Sequence, residues 1–164
     1  MASNAYSVID PLMPLFAFHR RSEKQLAQLA TLASELRVRP LGPDLCACAS
    51  GILRSLGEER EMHHALEESR LLPSLGRRIR EPRALAEFRA MREWIAGDHA
   101  RIAEAWRAVR KPLEAIADGV ARPIAHDAVA ELRARYGSHI VDEETALHRF
   151  ALMNLAANPI PSAA

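Results

Sequence analysis

Two stretches of this chain carry one pattern, His-x-x-x-Glu-Glu: His63-His64-Ala65-Leu66-Glu67-Glu68 and His139-Ile140-Val141-Asp142-Glu143-Glu144. Four residues turn a helix through about 400°, so each histidine and its first glutamate project from one face, one turn apart. Two more histidines, His19 and His99, stand in the other two quarters of the sequence. A fold that accepts this spacing must be helical at both motifs and must find somewhere to put the polar groups.

Helical periodicity divides the chain into four long segments separated by Pro- and Gly-containing breaks. The first runs from about Pro11 to Arg37, with an apolar stripe of Leu12, Leu15, Phe16, Leu26, Leu29, Leu32 and Leu36, and ends at Arg39-Pro40-Leu41-Gly42-Pro43. The second runs from about Asp44 to Leu75, with Leu45, Ile52, Leu53, Leu56, Leu66 and Leu71 as core candidates. Pro73 should bend or end it, because proline removes an internal hydrogen bond.

The third starts near Pro82, a residue suited to a first helical turn, and carries Leu85, Phe88, Met91, Trp94, Ile95, Ile102, Trp106 and Val109. A kink is expected at Pro112 before Asp118-Gly119 closes the segment. The fourth runs from about Pro123 to Asn154 with Ile124, Val129, Leu132, Tyr136, Ile140, Leu147 and Phe150; residues 156–164 read as an irregular tail. One domain spans 1–164, its core at about 10–152.

Short breaks between four helices predict an all-α, up-down-up-down four-helix bundle. In a helical hairpin, residues equally far from the turn lie at one height. His19 stands 21 residues before Pro40, and His63 stands 21 after Gly42. His63 and His99 each lie 18 residues from Glu81. His99 and His139 bracket the break near 119–122 by about 20 and about 18 residues. The four histidines therefore share one layer. Apolar neighbours at helical offsets turn His19, His99 and His139 inward; around His63 the face is mixed, with Arg60 and Arg70, and its placement rests on the motif.

Composition agrees with helices and narrows function. Aromatic residues are 5% of the chain, and 22 basic and 21 acidic residues are intermixed to a net charge of +1. That leaves no basic footprint for nucleic acid. No apolar run approaches the roughly 20 residues of a membrane span. Residues 1–10 lack a signal-peptide pattern, which predicts a cytoplasmic protein. Cys46 and Cys48 point roughly 200° apart on a helix, which suits neither a disulfide nor a shared metal; they read as small buried residues.

Imidazoles and carboxylates gathered in a core are costly unless a cation compensates them. The donor set suits iron, manganese or zinc. Two carboxylates, Glu67 and Glu143, can bridge two metal ions, with His19, His63, His99 and His139 terminal. His64 is turned about 100° from His63 and belongs beside the ligand set rather than in it. Glu68 and Glu144 are placed either in solvent or on the outer nitrogen of a ligand histidine. His126 and His148 read as peripheral, and Trp94 and Trp106 as core packing.

The repeated His-x-x-x-Glu-Glu, with Leu71-Leu72-Pro73 after the first copy and Asp98-His99 between the two, resembles the hemerythrin-like, or HHE cation-binding, family over nearly the whole chain. The resemblance implies a hemerythrin-like bundle with a non-haem di-iron centre: two iron ions with an oxo or hydroxo bridge, four terminal histidines, and Glu67 and Glu143 bridging. Oxygen-carrying hemerythrins resemble this pattern but place a second histidine four residues after the helix-3 ligand, where this chain has Ala103, and they close with His-x-x-x-x-Asp, where it has Glu143. Glu104 or water would fill the missing place.

That departure shifts the expectation from oxygen carriage to a more open centre, one that binds or senses oxygen, nitric oxide or peroxide in a redox or iron-stress response. The implied partners are that small ligand and a redox or signalling protein. Two alternatives stand beside it: a redox enzyme acting on peroxide or nitric oxide, and an iron donor for damaged metal centres.

Overall fold

The computed structural model of the protein describes residues 12–154. The tail at 156–164 and the segment 1–10 lie outside the described residues. Among the described residues, four helices make up the fold: α1 (Met13–Glu35), α2 (residues 43–76), α3 (Pro82–Ala117) and α4 (His126–Asn154). Each packs on its neighbour in sequence, and α1 also packs on α4, which closes the ring into a four-helix bundle. No described helix is long and apolar enough to cross a membrane.

Local chemistry sets the ends. Pro43 opens α2 and Pro82 opens α3 in the first turn, where the missing N–H would have had no helical partner. The Glu81 carboxylate caps α3 by accepting from the N–H groups of Arg83 and Ala84. At the other end of α3, Gly119 N–H donates to the Ile116 carbonyl and Val120 N–H to the Ala115 carbonyl, with Gly119 at φ +81°. This is the left-handed helix stop that favours glycine. Gly119→Ala is expected to cost about 1 kcal/mol, read as a lower urea midpoint with an unchanged slope.

Pro73 and Pro112 both sit within helix that continues past them. Pro112 lies inside α3, which runs unbroken to Ala117. Pro73 does not end α2: a π-helical turn over Glu67–Leu71 precedes it, and a further α-helical turn, Leu72–Gly76, comes after it. The wider turn relieves the clash and the lost hydrogen bond that proline brings. A second π-helical stretch, Leu53–Glu59, lies upstream, and the buried Arg60 donates Nε–H to the Leu56 carbonyl there at 2.8 Å.

The apolar interior forms two clusters. One centres on Leu29, Ile52, Ile102, Leu113 and Leu132, towards the 36–42 and 118–125 turns. The other centres on Leu12, Leu72, Phe88, Ile95 and Leu147, towards the 77–81 turn. Between them lies a buried layer that includes His19, Ser22, His64, Glu67, His99, His139 and Glu143. Leu66, an expected core residue, is 45% exposed, while Leu72 is buried. Phe16 and Leu71 are half-buried; Phe18 takes the inward position on α1.

Candidate metal centre

Each helix delivers part of one constellation. α1 supplies His19, α3 supplies His99, and α2 and α4 supply the repeated motif. Glu143 Oε2 lies 3.2 Å from His19 Nε2 and 3.3 Å from His139 Nε2. Glu67 Oε2 lies 3.7 Å from His63 Nε2 and 3.6 Å from His99 Nε2. The set therefore divides into two halves, each a carboxylate oxygen facing two imidazole nitrogens. Ligand atoms of Glu67, Glu143 and His99 also lie within 4.8 Å of one another, so the halves meet.

The outer nitrogens are held from behind. Glu68 Oε1 is 2.6 Å from His99 Nδ1, and Glu144 Oε1 is 3.1 Å from His19 Nδ1. Arg20 steadies Glu144 through a 2.9 Å hydrogen bond to its other oxygen. A carboxylate on the far nitrogen fixes ring orientation and tautomer, leaving the near nitrogen's lone pair free. His63 is held differently: its ring lies flat on Phe18, centroids 3.9 Å apart.

Asp98, which sequence reasoning left without a role, sits 3.7 Å from His139 Nδ1 and is ion-paired with Arg101. Its signal was adjacency to His99, the mirror of Glu144 beside Glu143. Glu104, expected near the gap at Ala103, is exposed. Five residues from His99 turn it about 140° off that histidine's face, which corrects its assignment to the site.

His64 departs most from its sequence reading. It is more buried than its neighbour, 7% exposed against 15% for the His63 side chain. Its ring stacks on His99 at 3.6 Å with the planes 6° apart. One nitrogen each of His64, His99 and His139 also lies within 4.8 Å of the others. His126 and His148 are exposed, and Cys46 and Cys48 are free and half-buried.

The electrostatics mark the layer as built for a cation. Burial, reinforced by His19, pushes His63 down to about 3. Burial also lowers His99, against the opposing pull of Glu68, so both imidazoles are neutral at pH 7. Burial and the neighbouring Glu143 push Glu67 up to about 11. Glu143 goes the other way: burial would raise it, but Glu67, His139 and His19 together hold it below the usual carboxylate range.

The donors fit a metal on an independent ground. Nε2 of His63, His99 and His139 and both carboxylate oxygens of Glu67 and Glu143 are buried without a hydrogen-bond partner. Buried polar atoms are nearly always partnered. Seven orphans converging on one layer are compensated together by metal ions and by nothing else among the described residues.

The model of the hemerythrin HHE cation-binding domain matches residues 13–151. The chain belongs to the hemerythrin HHE cation-binding family. That match runs from the first turn of α1 almost to the end of α4 and takes in every residue of the constellation. Neither the curated proteins nor the solved structures contain a match to this hemerythrin-like chain. Cation binding in the bundle core follows from the family and the buried donors together.

Proposed function

We propose that this hemerythrin-like protein holds two iron ions and binds or senses a small ligand, oxygen, nitric oxide or peroxide, in a redox or iron-stress response within the cytoplasm. The observation that carries the reading is the paired geometry: each of two buried glutamate oxygens faces two imidazole nitrogens. Such a set would hold two ions rather than one, with Glu67, Glu143 and the four histidines as their ligands. Manganese and zinc suit the same donors. Iron would supply a redox-active ion with coordination positions open to a small ligand.

The chain's own residues prepare the site. Burial keeps the His63 and His99 imidazoles unprotonated, so their lone pairs are available. Glu68 and Glu144 hold the rings of His99 and His19 in place. Apolar clusters lie above and below the layer, and the low local dielectric they create strengthens the electrostatic contacts inside. Ala103 offers no nitrogen at the place where the oxygen carriers have histidine, which favours an open, reactive ion over reversible carriage.

Protein expressed in iron-replete cells should contain about two iron ions per chain by elemental analysis, and no more than trace metal would overturn the reading. His63→Ala should remove at least half of that iron while leaving the helical circular-dichroism signal intact. Reduced protein exposed in turn to oxygen, nitric oxide and peroxide should change its visible spectrum with at least one of them. Sustained consumption of peroxide or nitric oxide would move the reading from sensor to redox enzyme.

A further inference from the structure

A cleft of about 620 Å³ opens between the first turns of α1 and the second half of α2, and its lining includes His63 and Glu67. Its lining brings together candidate metal ligands of both kinds, an imidazole and a carboxylate. Its volume is that of a small-molecule site, far larger than a diatomic gas or peroxide needs.

The walls are of two kinds. Leu15, Leu66 and Leu71 make an apolar side. Arg70 and Arg77 stand at the cleft, and neither makes an ion pair among the described residues. Glu67 is the one acidic group in the lining. The π-helical turn Glu67–Leu71 joins these parts, since it carries Glu67, Arg70 and Leu71 within five residues.

We propose that this cleft binds an anionic amphiphile, a single carboxylate or phosphate head on an apolar chain, in front of the metal centre. The head lies on Arg70 and Arg77, whose forked donors match carboxylate and phosphate oxygens. The chain lies against Leu15, Leu66 and Leu71, which reduces the exposure of Leu66. The inference deepens the metal-centre reading, on which it rests for what the ligand faces; two divalent ions against two carboxylates would leave that floor net positive and favour an anion.

The test is calorimetric titration of the full, metal-loaded chain with decanoate, decyl phosphate, decylammonium and acetate. Saturable binding of decanoate or decyl phosphate is expected, and which of the two binds tighter names the head. Acetate and decylammonium should bind at least tenfold more weakly. Arg70→Ala and Arg77→Ala, both at exposed positions, should each weaken decanoate or decyl phosphate binding about tenfold with the metal content unchanged. Leu66→Ser should do the same through the apolar wall.

No saturable binding of either anion, equal binding of decylammonium, or arginine variants that bind like the parent would each overturn the proposal. So would a loss of binding that tracks loss of metal rather than loss of charge. A chain that contains only trace metal yet binds decanoate through the arginines would refute the metal reading and leave the cleft assignment standing.

Discussion

Replacing Glu143 with leucine is expected to abolish metal binding and, in the metal-free protein, to raise thermal stability. Glu143 is fully buried, and neither of its oxygens has a hydrogen-bond partner. Facing Glu67 across the layer, it forms a pair that cannot both ionise cheaply without a cation; burial first, and Glu143 after it, push Glu67 up to about 11. Leucine is somewhat larger and has no group to desolvate. Relief from the desolvation of the Glu143 carboxylate and from its repulsion with Glu67 is expected to outweigh the lost contacts with His19 and His139, by about 1–3 kcal/mol. For a chain of this size that is a rise of roughly 3–10 °C.

The measurement is a melt of chelator-treated parent and variant beside elemental analysis of both. A residue selected for stability would behave oppositely, with the variant melting lower. Unchanged metal content in Glu143→Leu would remove Glu143 from the site. Glu143→Gln separates charge from shape, since it keeps an oxygen in place but loses the negative charge that a divalent ion requires; it should lose metal with little change in the melt.

The height of the four histidines was legible because proline and glycine mark the helix ends sharply, so counting residues from Pro40, Gly42 and Glu81 measures distance along the bundle. Facing was legible for α1, α3 and α4, which are regular: Ile95, Ile102 and Trp106 sit on the same side of α3 as His99 and are buried with it. The supporting role of Glu68 and Glu144 was one of two places chemistry allowed them, and the hydrogen bonds to His99 and His19 choose it.

On α2 the counting failed for a physical reason. An advance of about 100° per residue holds only for an unbroken α-helix, and α2 contains two π-helical stretches, Leu53–Glu59 and Glu67–Leu71. Each widens the helix and rotates the turns beyond it. Leu66 consequently lies outward and His64 inward, the reverse of the simple projection. Nothing in the local sequence announces a π turn, although such turns concentrate at functional sites. For the same reason Pro73 does not end the helix, because the turn before it is already opened.

Stripping the metal from the loaded protein should lower its melting temperature by roughly 10–20 °C. Each ion bound only to the folded chain, at a hundred times its dissociation constant, adds about 2.7 kcal/mol, and two add about 5 kcal/mol. For a domain of this length each kcal/mol moves the midpoint by about 2–4 °C. The effect is large because removal also uncovers a defect: the orphaned nitrogens of His63, His99 and His139 and the oxygens of both glutamates lie between the apolar clusters of α1–α4, where water cannot easily replace the ions. Calorimetric melts at fixed protein concentration, with chelator, without it, and after readdition of ferrous, manganous or zinc ions, measure the effect. The ion that restores the most stability identifies the best fit to the donor set, while equal midpoints in all conditions would mean that the layer is not a metal site.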